Sequence, residues 1–178
     1  MSRLGKLGEQ LAEERLADAG FTEIKNLNEG RNFPFADIIA KRNNVSYLIG
    51  VKTRNEYQAD GKINPTYNAI LIRKDKNREL KTLGRTEQEI THLLWEEVGR
   101  LAGAFKAVPA WVAVAVRAER NSYSAYFGLV ELIKARRSIP MKLHERVKYE
   151  LLAEHRTDSR VTSDLLNRKL FGEVERLT

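Results

Sequence analysis

The sequence has no cysteine among its 178 residues, only four prolines and no long apolar run. The absence of thiols excludes disulfide scaffolds, thiolate metal sites and a cysteine nucleophile. The longest apolar stretch, Val108 to Val116, contains Pro109 and is far shorter than the roughly 20 residues of a membrane-spanning helix. The first residues lead into a charged amphipathic stretch rather than an apolar signal core, so we expect a cytoplasmic protein.

Positive charge is abundant, with 31 Lys and Arg against 24 Asp and Glu and a net charge of +7. Residues 1–60 carry nine charges of each sign, so the excess falls mainly between residues 61 and 140. A dense basic cluster favours a polyanionic partner, and a solvated loop surface is the alternative interpretation. We expect a nucleic-acid-contacting rim formed by Arg54, Arg73, Lys74, Lys76, Arg78 and Lys81.

Hydrophobic periodicity predicts a mixed α/β domain with one central sheet. The predicted order is a helix from Ser2 to Ala19, a β-hairpin, a helix, two strands and a last helix. The hairpin strands are predicted at 35–40 and 45–52, the later strands at 110–116 and 124–132, and the last helical region from Pro140. A short extra strand is expected at 68–73. Thr86 and Glu89 have the spacing of a capping box that opens the second helix.

Asp37 and Lys52 are the first candidates for chemistry. Asp37 lies within an apolar strand, and a buried carboxylate is costly unless it is paired or binds a metal ion. Lys52 ends the next strand, where it shares one face with Gly50. A carboxylate beside an ammonium suits metal-assisted phosphodiester hydrolysis. A simple Asp–Lys ion pair that closes the hairpin is the alternative, and the residues alone favour it.

The order of short motifs resembles the PD-(D/E)XK restriction-endonuclease-like superfamily. The nearest likeness is to its archaeal Holliday-junction-resolvase-like members and to small bacterial nuclease-like proteins. The motifs that carry the resemblance lie within residues 5–54, and only the element order agrees beyond them. They are Gly8-Glu9, Ala12, Leu16, Gly20-Phe21, Ala36-Asp37-Ile38-Ile39-Ala40 and Val51-Lys52-Thr53-Arg54.

The resemblance implies a restriction-endonuclease-like core with an N-terminal helix, a central mixed sheet flanked by helices, and a helical C-terminal tail. It implies an endonuclease-like domain over residues 1–140 and a helical extension over 141–178. Glu9 and Asp37 match the metal-binding acids, and Lys52 matches the motif lysine, so these three residues are the expected catalytic set. The expected cofactor is Mg²⁺, with Mn²⁺ as the alternative, and the expected partner is DNA.

One position departs from the motif, because Gly50 stands where the superfamily has a second acid. Losing that carboxylate removes one oxygen ligand, so we expect weaker cation binding. Glu56 is too far along the strand to replace it, while Glu87 or Glu89 remain as substitutes.

Two functions therefore stay open. One is a Mg²⁺-dependent DNA endonuclease, and the other is a degenerate module that binds DNA or a protein without cleaving. Many enzymes of this superfamily pair to cut both strands, so the resemblance also implies a homodimer.

Overall fold

The computed structural model describes residues 2–28, 35–70, 74–133 and 135–165. Its helices are α1 (Arg3–Asp18), α2 (Lys74–Thr82), α3 (Glu87–Ala104) and α4 (Leu143–Arg146). Its strands are β1 (Thr22–Asn26), β2 (Ile38–Arg42), β3 (Val45–Asn55), β4 (Thr66–Asn68), β5 (Val108–Arg117), β6 (Ser122–Leu129), β7 (Ser138–Pro140) and β8 (Glu150–Thr157). Three short 3₁₀ turns cover Ala118–Arg120, Val130–Ile133 and Ser163–Leu165.

The central sheet has six strands in the order β1-β2-β3-β5-β6-β8, and β4 pairs with β7 in a separate two-stranded sheet. The β3–β5 pair is parallel, and the other pairs of the central sheet are antiparallel. The parallel pair requires a crossover, which α3 supplies. The predicted α/β class, with an N-terminal helix and a mixed sheet, is confirmed. In the part of the chain that the structure describes, every helix is too short or too polar to cross a membrane.

Helix α1 covers one side of the sheet. The Ser2 hydroxyl accepts a hydrogen bond from the Gly5 amide at 3.1 Å and caps the helix at its predicted start. Its buried side chains include Leu7, Leu11 and Leu16, which pack against the sheet in one apolar cluster. This cluster fixes the helix across β3, where the candidate site lies.

Helix α3 covers the other side. The predicted capping box is present, since the Thr86 hydroxyl accepts from the Glu89 amide and the Glu89 carboxylate accepts from the Thr86 amide. Leu94, Trp95 and Val98 pack into a second apolar cluster together with residues of the sheet. The sheet is therefore buried between two helical layers.

The β2–β3 hairpin is present, and its turn residues Asn43 and Asn44 both have positive φ, as tight hairpin turns require. Strand β2 starts three residues later than predicted. Asp37 still bonds its neighbours through the backbone, since its N–H donates to the Ile49 carbonyl oxygen and its own carbonyl oxygen accepts from the Leu27 amide, while its carboxylate accepts the amide hydrogen of Val51. The predicted extra strand at 68–73 is instead β4 at Thr66–Asn68, and residues 71–73 lie outside the described part.

The predicted last helix is wrong over residues 150–157. Between residues 141 and 157 only the four residues of α4 are helical. The segment that follows α4 forms β8, which pairs antiparallel with β6. Leu143 and Val147 have helical spacing, yet they are 64% and 82% exposed, so they form no buried helical face. Backbone pairing with β6 therefore outweighs the helical spacing of the apolar residues in this segment. The predicted boundary at residue 140 stays a prediction, because residues 166–178 lie outside the described part.

Candidate functional site

Glu9 lies on the part of α1 that approaches β3 unusually closely, near Thr53. A Cβ atom on Gly8 would come within 1.7 Å of the Thr53 hydroxyl oxygen, so only glycine permits this approach. The adjacent Glu9 is 9% exposed. A helix-interior glycine is the sequence signal for such close packing, since it otherwise costs about 1 kcal/mol relative to alanine.

Asp37 comes directly before β2 and points to β3. One of its carboxylate oxygens accepts the Val51 amide hydrogen at 2.6 Å. The other accepts the Asn28 side-chain amide at 2.8 Å. These two bonds fix the carboxylate between the hairpin and the segment after β1.

Two asparagine amides connect three carboxylates. The Asn28 amide nitrogen that donates to Asp37 also donates to Glu9 at 3.2 Å. The Asn26 amide donates to Glu9 at 3.1 Å and to Glu13 at 2.8 Å. None of the three carboxylates forms an ion pair with a described Lys or Arg. Sequence reasoning missed both asparagines, since isolated amides after a short strand carry no periodic signal.

The surroundings shift the ionisation of Glu9. Burial raises the pKa of Glu9, and the neighbouring charges of Asp37 and Glu13 raise it further, while the bonds from Asn26 and Asn28 oppose the rise. Like charges this close favour either a proton or a cation between them. The arrangement is therefore one that a bound cation would stabilise.

Lys52 follows Val51 in β3 and is half-buried. Val51 packs in the α1 cluster, so Lys52 belongs to the opposite face of the strand, which it shares with Leu48 and Gly50. Lys52 makes no ion pair with Asp37 and no hydrogen bond to another described residue. The alternative of an Asp–Lys pair that closes the hairpin is therefore wrong.

Gly50 has no room for an acid side chain. A Cβ atom there would lie 2.7 Å from the Phe35 carbonyl oxygen and 3.4 Å from the Phe35 ring. The same ring packs edge-on against Trp95, with 6.0 Å between centroids. The space beside Gly50 is thus filled by an aromatic side chain that contacts the α3 layer.

The acids considered as substitutes are engaged elsewhere. Glu89 caps α3, and Glu87 pairs with Lys81 and Arg137. Glu56 was expected to be out of reach, and it is bound within a separate ion-pair cluster.

That cluster lies just beyond the end of β3. Glu56 is 1% exposed and accepts hydrogen bonds from the guanidinium groups of Arg117 and Arg146, the latter at 2.6 Å. Burial raises the pKa of Glu56, but the two guanidinium bonds outweigh burial and leave the pKa lowered. Glu56 therefore stays ionised and connects β5 and α4 to the end of β3.

A divalent cation fits the donors at Glu9 and Asp37. Within the described ranges, no three His, Cys, Asp or Glu side chains are arranged to share one metal ion. Mg²⁺ nevertheless needs only one or two carboxylates, because it keeps several waters. The two carboxylates supply oxygen ligands of the kind that Mg²⁺ takes and zinc disfavours, while the Asn28 amide turns its NH2 group towards both of them.

The predicted nucleic-acid-contacting residues lie on two elements, β3 and α2, apart from Arg73. Arg54 lies on the Lys52 face of β3, is exposed and donates to the Thr66 carbonyl oxygen at 3.1 Å. Arg73 lies outside the described residues, and Lys74 begins α2. The remaining three are exposed residues of α2.

Acids of α3 already pair with two of those three. Lys76 contacts Glu97 at 2.8 Å, and Lys81 contacts Glu87 at 2.5 Å. Arg78 is exposed and has no side-chain partner among the described residues. The predicted basic rim is thus partly neutralised by carboxylates that the charge count alone does not place.

Comparison with solved structures shows a likeness to an archaeal protein. The structure of Hjc from Archaeoglobus fulgidus, a Holliday junction resolvase from an archaeal hyperthermophile, is similar to the chain with a TM-score of 0.47 and 18% sequence identity. The similarity covers 84% of this chain and 97% of that one. No protein-family model and no curated protein sequence matches the chain. A likeness of this degree carries no functional argument, so function depends on the chain's own residues.

Proposed function

We propose that the chain is a Mg²⁺-dependent endonuclease that binds DNA and hydrolyses its phosphodiester bonds. The observation that carries this proposal is that the carboxylates of Glu9 and Asp37 lie together at one Asn28 amide. Two carboxylates from separate elements meet without a basic partner among the described residues, next to the strand that carries Lys52. A cation site requires acids whose negative charge no basic side chain balances, whereas a purely structural role does not.

Each residue has a defined role in the proposal. Glu9 and Asp37 hold the divalent cation, which when bound neutralises the scissile phosphate and lowers the pKa of a water. Lys52 orients or deprotonates the attacking water from the neighbouring strand position. Val51 fixes Asp37 through its amide, which keeps the carboxylate in place as substrate binds. Arg54 and the α2 cations contact DNA phosphates.

Cleavage assays test the proposal directly. Branched, duplex and single-stranded DNA are incubated with the protein in Mg²⁺ or Mn²⁺. We expect cleavage by the wild type and its loss in Asp37→Asn and Lys52→Ala. Lys148→Ala is the matched control, because it removes a lysine whose exposed pair with Glu145 contributes little. Absence of cleavage on every substrate, or undiminished cleavage by Lys52→Ala, would show that the proposal is wrong.

A module that binds without cleaving is the second candidate. Phe35 fills the space that a second motif acid would need, and asparagine amides already satisfy Glu9 and Asp37. Salt-dependent DNA binding with neither cleavage nor cation binding would favour this candidate. The expected homodimer stays a prediction, which multi-angle light scattering measures.

A further inference from the structure

Helix α3 presents carboxylates to the cations of α2. Glu97 pairs with Lys76 at 2.8 Å, and Glu87 pairs with Lys81 at 2.5 Å. The second oxygen of Glu87 also accepts a hydrogen bond from Arg137, which precedes β7. Two acids therefore pair with three cations and balance most of their charge.

The charges, rather than a large apolar contact, connect α2 to α3. Leu80 is the described α2 side chain that packs against the core, and it is only half-buried. A cavity of about 240 Å³ lies next to it, lined by residues of both helices. Lys76, Lys81 and their partners have side chains about half exposed, so water and salt screen these pairs strongly. Such pairs exchange partners at little cost.

This layer lies on the same side of the sheet as the lysine face of β3. Leu48 has the strand parity of Lys52 and Arg54, and it is buried in one cluster with Leu94 of α3. The cations of α2 and those of β3 thus belong to one side of the molecule. A DNA duplex is long enough to contact both groups.

We infer that Glu87 and Glu97 mask a phosphate-binding surface formed by Lys76, Lys81 and Arg137, which DNA exposes by displacing the two carboxylates. The inference rests on the proposed DNA binding and adds an internal competitor to it. Duplex phosphates carry a denser charge than two isolated carboxylates, and their binding releases counterions. Arg78 lies on the same helix as Lys76 and Lys81, has no partner among the described residues, and is therefore available for first contact.

Neutralising the mask should tighten DNA binding. Fluorescence anisotropy with a labelled duplex of mixed sequence gives the Kd of the wild type, Glu97→Gln and Glu87→Gln over a series of salt concentrations. The matched control is Glu96→Gln, which removes an exposed α3 carboxylate whose partner is His92 rather than an α2 lysine. We expect Glu97→Gln to bind about fivefold tighter than Glu96→Gln at low salt, because one further lysine becomes available to a phosphate.

A double-variant comparison identifies the cation involved. If Lys76 is the released group, then Lys76→Ala in the Glu97→Gln background abolishes the gain. Equal affinities of Glu97→Gln and Glu96→Gln, or a gain that survives Lys76→Ala, would overturn the inference while leaving DNA binding intact. Absence of DNA binding in all variants would overturn the inference and the proposed function together. Circular dichroism establishes beforehand that each variant is folded.

Discussion

The contact between Gly50 and Phe35 gives a sharp prediction for the site. In Gly50→Ala the new Cβ atom would lie 2.7 Å from the Phe35 carbonyl oxygen. That oxygen must move by about 0.7 Å to reach an ordinary contact of 3.4 Å. The atom belongs to the backbone two residues before Asp37, and the Phe35 ring is held against Trp95. The shift therefore disturbs the α3 layer and the candidate cation site together.

Overpacking of this kind costs about 1–3 kcal/mol. For a chain of this length each kcal/mol lowers Tm by about 2–4 °C, so we expect a decrease of roughly 4–8 °C for a cost near 2 kcal/mol. Thermal unfolding followed by circular dichroism measures it. Gly99→Ala in α3 is the control, because nothing lies within 4 Å of its added Cβ atom. It should raise stability by up to about 1 kcal/mol through helix propensity.

An unchanged or higher Tm of Gly50→Ala would refute the close contact. The same contact changes what Gly50→Glu can show. From the motif alone, restoring the acid is expected to restore a ligand. With Phe35 in place, we expect Gly50→Glu to be less stable than Gly50→Ala and to bind Mg²⁺ no better than the wild type.

Two further predictions concern the ends of β3. Glu56→Gln leaves Arg117 and Arg146 without a buried counter-charge, so we expect its free energy of unfolding, measured with denaturant, to fall by about 3–5 kcal/mol. Removing one partner of an exposed ion pair should cause no comparable loss. The pKa of Glu56 is lowered in the folded state, so the stability that its ionised carboxylate contributes is present above its unfolded pKa and is lost as pH falls through its folded pKa. If the wild type and Glu56→Gln lost the same free energy of unfolding on acidification, this reasoning would be wrong. Gly8→Ala forces α1 away from β3, so its Tm should decrease while Gly103→Ala, with open space around its Cβ position, shows no decrease.

The parts of the fold that follow from local sequence could be predicted. Ser2, the capping box of α3 and the Asn43-Asn44 turn act within a few residues of the chain, so their patterns indicate helix starts and a hairpin directly. The buried strand β5 is likewise evident from its run of valines and alanines. These elements bring Glu9 and Asp37 into the same region, as the motif order implies.

What could not be predicted depends on partners distant in sequence. Residues 150–157 alternate too weakly to indicate a strand, and only the free edge of β6 makes them one. The contact of Phe35 with Gly50 and the bridging amide of Asn28 arise from segments that the fold brings together. The pairing of Lys76 with Glu97 joins two helices, and no spacing rule connects them.

In the proposed site, Glu9 and Asp37 hold one divalent cation beside β3. Crystals soaked in Mn²⁺ test it through anomalous difference density. We predict one peak per chain in contact with both carboxylates, and its loss in crystals of Asp37→Asn. Absence of a peak at this position would contradict this assignment. A peak that contacts neither carboxylate, with the Asn26 and Asn28 hydrogen bonds unchanged, would also contradict it.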